Sequence, residues 1–240
     1  MGDAQLVHFA SDDLLAAAVA DDWLTLIGQA QAAKRKHLVA LSGGRITKKL
    51  LAKFIEQARA RSISLTGAEF FWADERCVPP DDPESNYRLA VEFLFKPANI
   101  ADTSIHRIQG EADVQVAARS AAADLNLIAD KDPQGLPVLD LVLLGMGEDG
   151  HVASLFPGDA ATEKDATSVF LAIENSPKPP PKRVSLGHGV ISAAREVWVL
   201  ASGSGKEAAL RESLALNGRT PLAKVIQRRR LTKILTDIHF

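Results

Sequence analysis

The sequence predicts an α/β fold in which a doubly wound, mostly parallel sheet carries helices on both faces. Segments typical of strands alternate with segments typical of helices along all 240 residues, and this alternation favours parallel βαβ units. The predicted strands are short apolar runs such as Leu38–Leu41 and Val138–Leu144, as expected for strands buried on both faces. No repeat or linker interrupts the pattern, so we expect residues 1–240 to form a single domain.

The first half of the chain contains three predicted strands, each followed by helical segments. Gln5–Phe9 is expected to be an edge strand, and Ser11 is expected to cap an alanine-rich helix that extends to about Gln31. The other elements predicted here are the strands Leu38–Leu41 and Ala68–Trp72, the helix from Arg45 to about Ala60, a helix that opens at Ser85-Asn86-Tyr87 and reaches about Leu94, and a helix from Glu111 to about Asp130.

The second half continues the alternation and contains the predicted central strand, Val138–Leu144. Pro177 to Pro181 is predicted to be a stiff extended loop. The cluster Arg228-Arg229-Arg230 is interpreted as a solvated helix end. The remaining predicted elements are the strands Val169–Ile173, Glu196–Leu200 and Leu231–Thr236, a helix from Gly205 to about Leu216, and a helix that begins at Pro221.

Composition and charge exclude several classes of protein. The formal net charge is −2, so nothing indicates a nucleic-acid partner. The single cysteine, Cys77, excludes an intramolecular disulfide framework and fits a reducing compartment. No apolar run approaches the roughly 20 residues of a membrane span, and the N-terminal residues lack the pattern of a signal peptide. We therefore expect a cytoplasmic protein without a membrane partner, either a monomer or a small homo-oligomer.

Four polar clusters directly follow predicted strands. The carboxyl ends of parallel strands meet at one edge of a sheet, where open α/β sheets place their ligands. Residues that are distant in sequence are therefore expected to build one pocket. The four clusters are Ser42–Arg45, Asp74–Arg76, Gly145–His151 and Ser202–Lys206.

Asp149 and His151 are candidates for acid–base chemistry. They lie two residues apart in the glycine-rich cluster that follows the central strand. An imidazole with a pKa near 6.5 accepts a proton at neutral pH, and a carboxylate orients it and stabilises the imidazolium. The alternative is a structural histidine that is hydrogen-bonded within its loop. A zinc site is not indicated, because no cluster of Cys or His has ligand spacing.

Other residues of the clusters are candidates for binding an anion. Ser42-Gly43-Gly44 stands between a strand and a helix, where backbone N–H groups and the helix dipole favour negative charge; a tight turn chosen for packing is the alternative. Lys206 is a second candidate, and Arg183 is a candidate for a bidentate phosphate contact or else a surface charge. Together they favour a small phosphorylated ligand over a nucleotide.

Two further patterns have competing interpretations. Arg76 is expected either to stabilise negative charge on a carbonyl oxygen or merely to neutralise Asp74. The glycines of segment 145–150 have the spacing of a dinucleotide fingerprint. That match is weak, because Glu148 and Asp149 would place two negative charges beside a pyrophosphate.

These blocks together resemble the 6-phosphogluconolactonase family, and the resemblance spans nearly the whole chain in the same order. The larger superfamily also contains glucosamine-6-phosphate deaminases and sugar-phosphate isomerases, which share a Gly-x-Asp-Gly-His core. The arginine of Asp-Glu-Arg and the ending Ser-Leu-Phe-Pro favour the lactonase branch. The blocks that carry the resemblance are Ser42-Gly43-Gly44, Asp74 to Pro79 with Ser85-Asn86-Tyr87, Gly145–Gly158, Ser176 to Pro180 with Arg183, and Gly205-Lys206-Glu207-Ala208.

The resemblance implies a Rossmann-like α/β fold and hydrolysis of 6-phospho-D-glucono-1,5-lactone without a metal or organic cofactor. His151 would activate water, Asp149 would hold the imidazole, and Arg76 would stabilise the oxyanion. Arg45 stands where the family has a small residue, so it either contacts phosphate or points to solvent; His188 receives no function. The residues expected to bind the substrate or its phosphate are Ser42, Gly43, Gly44, Arg45, Asp74, Asn86, Gly147, Arg183 and Lys206.

Two other functions stay open at the level of sequence. One is an aldose–ketose isomerase or amino-sugar phosphate deaminase on the same fold, in which Asp74 would be the base beside C2 of the sugar. The other is a non-catalytic sensor that binds a sugar phosphate without turning it over.

Overall fold

A computed structural model describes residues 2–159 and 167–239. The strands are β1 (Asp3–His8), β2 (His37–Leu41), β3 (Ala68–Trp72), β4 (Asp74–Arg76), β5 (Leu141–Gly145), β6 (Phe170–Ile173), β7 (Arg183–Leu186), β8 (Glu196–Ala201) and β9 (Leu231–Thr236). The α-helices are α1 (Asp12–Ala32), α2 (Arg45–Ala60), α3 (Asn86–Ala90), α4 (Lys96–Ala98), α5 (Val114–Ile128), α6 (His188–Ala193), α7 (Glu207–Leu214) and α8 (Pro221–Arg228). A π-helical turn, Val91–Phe95, joins α3 to α4.

Six strands form a parallel sheet in the order β1-β9-β8-β5-β2-β3. Strand β5 lies inside the sheet and β1 lies at its edge, as the sequence predicts. Every residue of β2 and β3 is buried, which explains why these strands are mostly apolar, with His37 and Glu69 as the exceptions, rather than alternating patterns. The sheet and the helices that flank it confirm the predicted fold class.

The other three strands form a small antiparallel sheet in the order β4-β7-β6. The strand predicted at Val169–Ile173 exists as Phe170–Ile173, but it belongs to this small sheet. Asp74–Arg76 and Arg183–Leu186 were not predicted as strands. The first is three charged residues long, and the second alternates polar and apolar residues over only four positions, which is a weak strand pattern. Their pairing depends on contacts between segments about a hundred residues apart, which periodicity does not reveal.

Capping side chains set where several helices begin. The Ser11 hydroxyl accepts the backbone N–H of the residue three positions later at the start of α1, and Ser85 does the same for α3. Helix α5 begins at Val114 rather than Glu111, because the Asp113 carboxylate accepts two N–H groups of its first turn. The predicted start of α8 at a proline is confirmed.

The structure corrects the interpretation of the arginine cluster at the end of α8. Arg228 and Arg230 are exposed, but Arg229 is only 8% exposed. Its guanidinium satisfies carbonyl groups at the C-terminal end of α6 that have no partner within that helix. The acceptors there are the carbonyl oxygens of Ile191, Ser192, Ala194 and Arg195, at 3.2, 2.7, 2.6 and 3.2 Å.

Both sheets share one apolar core. The cluster of buried residues runs from Leu15 in α1 to Ile238 after β9 and includes Val142 of the parallel sheet and Val184 of the antiparallel sheet. Among the helices within the described ranges, none is both long and apolar enough to cross a membrane.

Candidate active site

The four predicted clusters meet in one pocket of about 360 Å³ at the carboxyl ends of β2, β3, β5 and β8. Asp149 and Gly147 do not line it, but both contact His151, which does. The expected site residues that line the pocket are Ser42, Gly43, Gly44, Arg45, Asp74, Arg76, Asn86, His151, Arg183 and Lys206.

Asp149 and His151 form a hydrogen-bonded pair. Asp149 Oδ1 is 2.5 Å from His151 Nδ1, and the ring packs against Phe156 with centroids 4.6 Å apart. Burial lowers the pKa of His151, although Asp149 opposes that shift. For Asp149, burial is the largest single cause and raises the pKa, but the hydrogen bonds and charge of His151 together with the charge of Lys178 outweigh it, so the pKa of the carboxyl is lowered. The pair therefore consists of a carboxylate and a neutral imidazole near pH 7, and Nε2 makes no hydrogen bond with any described residue.

Gly147 makes this pairing sterically possible. A Cβ on Gly147 would lie 2.0 Å from His151 Nδ1 and 2.6 Å from Asp149 Oδ1. Any side chain at this position would displace the imidazole or the carboxylate. Gly147 therefore leaves the space that the Asp149–His151 pair occupies. It does not line the pocket.

The loop between β2 and α2 presents backbone N–H groups rather than side chains. The Ser42 hydroxyl donates to the Leu143 carbonyl oxygen at 2.8 Å. Gly44 is the N-terminal cap of α2 with φ 98°, a conformation that favours glycine, and no side chain caps the helix. The start of α2 lines the pocket through Gly44, Arg45 and Ile46 without a side-chain cap, and the N-terminus of a helix in this arrangement favours an anion.

Gly43 and Asn86 pack so closely that any side chain at position 43 would displace the Asn86 amide. A Cβ on Gly43 would lie 1.8 Å from Asn86 Oδ1. The Asn86 amide in turn donates from Nδ2 to the Asp74 carbonyl oxygen at 2.9 Å. Asn86 therefore ties β4 to the β2–α2 loop and fixes the shape of the pocket wall.

The three residues of β4 have different surroundings. The buried Asp74 carboxylate accepts a hydrogen bond from the Ser154 hydroxyl at 2.7 Å. Glu75 is also buried, and it accepts the backbone N–H groups of Arg76, Asn86 and Tyr87 at 2.7–2.8 Å. Burial raises the pKa of Glu75 to about 7, although these three N–H groups oppose the shift. Glu75 therefore anchors the start of α3 beneath the pocket.

The Arg76 guanidinium is hydrogen-bonded to protein through Nη1 but not through Nη2. Nη1 donates to the Glu84 carbonyl oxygen at 2.7 Å and lies 3.3 Å from the Glu84 carboxylate. Nε is buried without a partner in the described residues, and Nη2 makes no hydrogen bond there. The guanidinium thus keeps its Nη2 N–H groups for a ligand in the pocket that Arg76 lines.

Arg183 is a buried residue that is bonded mainly to protein. Nε donates to the carbonyl oxygen of Pro180 at 3.1 Å, and Nη2 donates to those of Lys178 and Pro179 at 3.2 and 2.9 Å. Nη1 lies 3.4 Å from the Ser154 hydroxyl. Four of the five guanidinium hydrogens have protein acceptors, which leaves one Nη1 hydrogen for a ligand.

Lys206 and Arg45 bring two more cations to the pocket. Burial lowers the pKa of Lys206, and its ammonium forms no ion pair within residues 2–159 and 167–239. Arg45 is largely exposed, and its guanidinium lies 2.7 Å from the Asp12 carboxylate and 3.5 Å from the Ser202 hydroxyl. Arg45 therefore lies at the rim, where it is already paired, whereas Lys206 lies deeper and unpaired.

Sequence reasoning missed four residues that shape the site. Glu75 and Ser154 stand inside conspicuous blocks, but nothing local shows that they hold α3 and Asp74. Asp237 accepts hydrogen bonds from the Ser202 hydroxyl and the Gly203 N–H at 2.9 and 3.1 Å, and it lies beyond the last strand. Lys178 lies in the proline-rich segment 177–181, and its Nζ is 3.7 Å from Asp149 Oδ2. No group of three or more His, Cys, Asp or Glu within the described residues is arranged to hold a metal ion.

Fold and site together define an α/β protein with a cation-lined pocket and an acid–histidine pair at the carboxyl edge of a parallel sheet. The family model described as "Glucosamine-6-phosphate isomerases/6-phosphogluconolactonase" matches residues 10–234. The chain belongs to this family.

The chain is similar in sequence and in structure to proteins that are named 6-phosphogluconolactonases. A rice (Oryza sativa) protein described as "Probable 6-phosphogluconolactonase 3, chloroplastic" is 34% identical over 88% of this chain. The chain spans only 65% of the length of that relative. The 6-phosphogluconolactonase of Mycobacterium tuberculosis is 36% identical over 90% of this chain and 87% of its own. The structure of 6-phosphogluconolactonase from Trypanosoma brucei is 27% identical and superposes with a TM-score of 0.86, covering 98% of this chain and 97% of that one.

Proposed function

We propose that the pocket hydrolyses 6-phospho-D-glucono-1,5-lactone to 6-phosphogluconate. The observation that carries the proposal is the hydrogen-bonded Asp149–His151 pair on the wall of a pocket that also contains the cations Arg76, Arg183 and Lys206. A base that activates water and several cations suit a substrate with a reactive carbonyl and a phosphate. Relatives 34–36% identical are named for this activity.

His151 is the proposed general base. Its Nε2 takes a proton from a water molecule as the water oxygen attacks C1 of the lactone, and the carbonyl oxygen becomes an oxyanion. Asp149 keeps the other proton on Nδ1 and stabilises the imidazolium. Collapse of the tetrahedral intermediate breaks the bond between C1 and the ring oxygen, which receives the proton from the imidazolium. The free base is restored, and the acid product ionises in solution.

Arg76 is the proposed partner of the oxyanion. It lines the pocket, and its Nη2 N–H groups have no acceptor in the described part of the chain. Its charge would strengthen a hydrogen bond to oxygen as negative charge develops there. Asp74, held by Ser154, and Asn86 are proposed to shape the wall and to contact sugar hydroxyls.

The phosphate is proposed to lie between the start of α2 and Lys206. Backbone N–H groups of Ser42, Gly43 and Gly44 offer neutral donors, and Lys206 supplies an unpaired charge. The remaining Nη1 hydrogen of Arg183 offers a single further contact. Arg45 is proposed to attract the anion from the rim, where its bond to Asp12 limits closer approach.

We also propose that residues 1–240 form one domain, because both sheets share the same apolar core. A cytoplasmic location, a monomeric or small homo-oligomeric state, and the lack of a cofactor or a nucleic-acid or membrane partner stay predictions from the sequence.

A substrate panel tests the proposed function. Freshly generated 6-phosphogluconolactone, unphosphorylated gluconolactone, glucosamine 6-phosphate and ribose 5-phosphate are each followed by NMR with the purified protein. We expect acceleration of phosphorylated lactone hydrolysis above the spontaneous rate and no turnover of the two sugar phosphates. Turnover of glucosamine 6-phosphate would favour the deaminase chemistry, and binding without any turnover would favour the sensor.

A further inference from the structure

Lys178 lies beside the Asp149–His151 pair but outside the pocket wall. Its Nζ is 3.7 Å from Asp149 Oδ2, while the other oxygen, Oδ1, is 2.5 Å from His151 Nδ1. The carboxylate is therefore shared between an ammonium group and an imidazole. The Lys178 side chain is 45% exposed, so this contact can be altered without opening the core.

The backbone that carries Lys178 is firmly held. The buried Arg183 guanidinium donates to the carbonyl oxygens of Lys178, Pro179 and Pro180 at 3.2, 2.9 and 3.1 Å. The Ser176 hydroxyl donates to the Lys178 carbonyl oxygen at 2.9 Å and accepts the Lys178 N–H at 3.2 Å. Five hydrogen bonds thus fix the point from which the lysine side chain extends to Asp149.

We propose that Lys178 is a positioning residue for the Asp149–His151 pair: its ammonium group lies against the second carboxylate oxygen and places a positive charge beside the pair. Its meaning for catalysis rests on the proposed hydrolysis, in which neutral His151 is the base. The role of segment 177–181 is then to present Lys178 to Asp149, because Arg183 and Ser176 hold the backbone of this segment in place.

The charges around the ring set the direction of the effect. Burial is the largest cause that lowers the pKa of His151, and the charge of Lys178 lowers it further. Asp149 and Asp74 act in the opposite direction. Phe156, whose ring packs against the imidazole, and Gly147 are uncharged. Removing the lysine charge therefore leaves two carboxylates acting on the imidazole, so the imidazolium becomes easier to form.

The kinetic test compares Lys178→Met with Lys178→Arg and with Lys182→Met, an exposed lysine in the same segment. Because the Lys178 side chain is 45% exposed, its charge acts on the ring largely through solvent, where a unit charge several ångströms away shifts a pKa by roughly half a unit. We expect the acidic limb of kcat/KM, recorded from about pH 5 to pH 7.5, to move up by about half a pH unit in Lys178→Met alone. The arginine variant should keep the wild-type limb because it keeps the charge.

An NMR titration of the His151 ring tests the same inference without using activity. The ring signals are assigned with His151→Gln, and the midpoint is compared between the folded wild type and the three variants. An upward shift in Lys178→Met alone supports the inference. An unchanged midpoint in folded Lys178→Met, or an equal shift in Lys182→Met, overturns it. Because the titration reads the ring itself, it separates this outcome from a failure of the protein to hydrolyse the lactone.

Discussion

Replacing Gly147 by alanine tests whether the position of the His151 ring controls activity. A Cβ at this position would lie 2.0 Å from Nδ1 and 2.1 Å from Cε1 of His151, and 2.6 Å from Asp149 Oδ1. The φ of Gly147 is not in the left-handed region, so the effect comes from this contact and not from backbone strain. Favourable contacts between heavy atoms begin at about 3.5 Å, so the ring must move by roughly 1.5 Å.

The expected loss follows from that displacement. A catalytic group misplaced by about 1 Å costs roughly 10²-fold, and the loss of a positioned base costs about 10²–10⁴-fold. We therefore expect kcat of Gly147→Ala to fall by about 10²–10⁴-fold while KM changes less than about threefold. Adding Gly147→Ala to His151→Ala should slow the enzyme no further, because both changes remove the same function.

Gly145→Ala, at the last residue of β5 and two residues before Gly147, is the matched control. A Cβ there meets no atom within 4 Å, and the φ of Gly145 is also outside the left-handed region. Because Gly145 lines the pocket, its methyl group reaches ligand space, so the two variants are compared in kcat rather than KM. Circular dichroism confirms that both variants fold, with an expected cost below about 3 kcal/mol for Gly147→Ala. A folded Gly147→Ala protein with kcat near wild type would refute the reasoning.

Three further predictions concern the phosphate site and the stability of the fold. Lys206→Ala is expected to raise KM for the phosphorylated lactone about 10- to 100-fold with little change in kcat; an equal rise for the unphosphorylated lactone would contradict a phosphate role. Burial lowers the pKa of His188 to about 4, so its contribution to stability is complete above about pH 6.5 and is lost toward pH 4, by at most about 3 kcal/mol. Denaturant titrations of His188→Leu should show a weaker loss of stability over that interval, and an unchanged loss would argue against this histidine as a cause. Arg229→Ala is expected to lower the free energy of unfolding by roughly 2–4 kcal/mol, because it leaves the carbonyl groups after α6 without their donor; the exposed Arg228→Ala should cost less than about 0.5 kcal/mol.

Patterns within one segment were sufficient for the elements of the parallel sheet. The apolar period of α2 marks its buried face, and the observed helix, Arg45–Ala60, has the predicted bounds. The strand Leu231–Thr236 also has its predicted bounds. In both elements the pattern of apolar residues lies within one segment and extends over several residues. The local sequence and the tertiary packing therefore favour the same structure.

Contacts between distant segments could not be predicted in the same way. The antiparallel sheet pairs Arg76 with Arg183, and no periodicity links two such positions. The occupied hydrogen bonds of Arg183 are a second case, since a sequence shows an arginine but not whether its donors already have acceptors. Asp237 is a third, because a carboxylate near the C-terminus carries no local sign that it holds the Ser202–Gly203 turn.

The sequence predicted where the site lies but not the distances between its residues. Polar clusters after parallel strands converge by topology alone, which is why Gly145–His151 and Ser42–Arg45 were predicted to meet. The distances within the pocket depend on how closely two loops approach each other. That approach is fixed by glycines such as Gly43 and Gly147, whose neighbours become known only in three dimensions.

We propose, above all, that His151 activates water for attack on a phosphorylated lactone. The most direct test follows freshly generated 6-phosphogluconolactone by NMR with wild type, with His151→Ala and without protein, all in the presence of a metal chelator. We predict acceleration by wild type that survives chelation, and a folded His151→Ala protein slowed by about 10²–10⁴-fold. Wild-type activity that His151→Ala retains in full would contradict the account, as would the absence of acceleration by folded wild type.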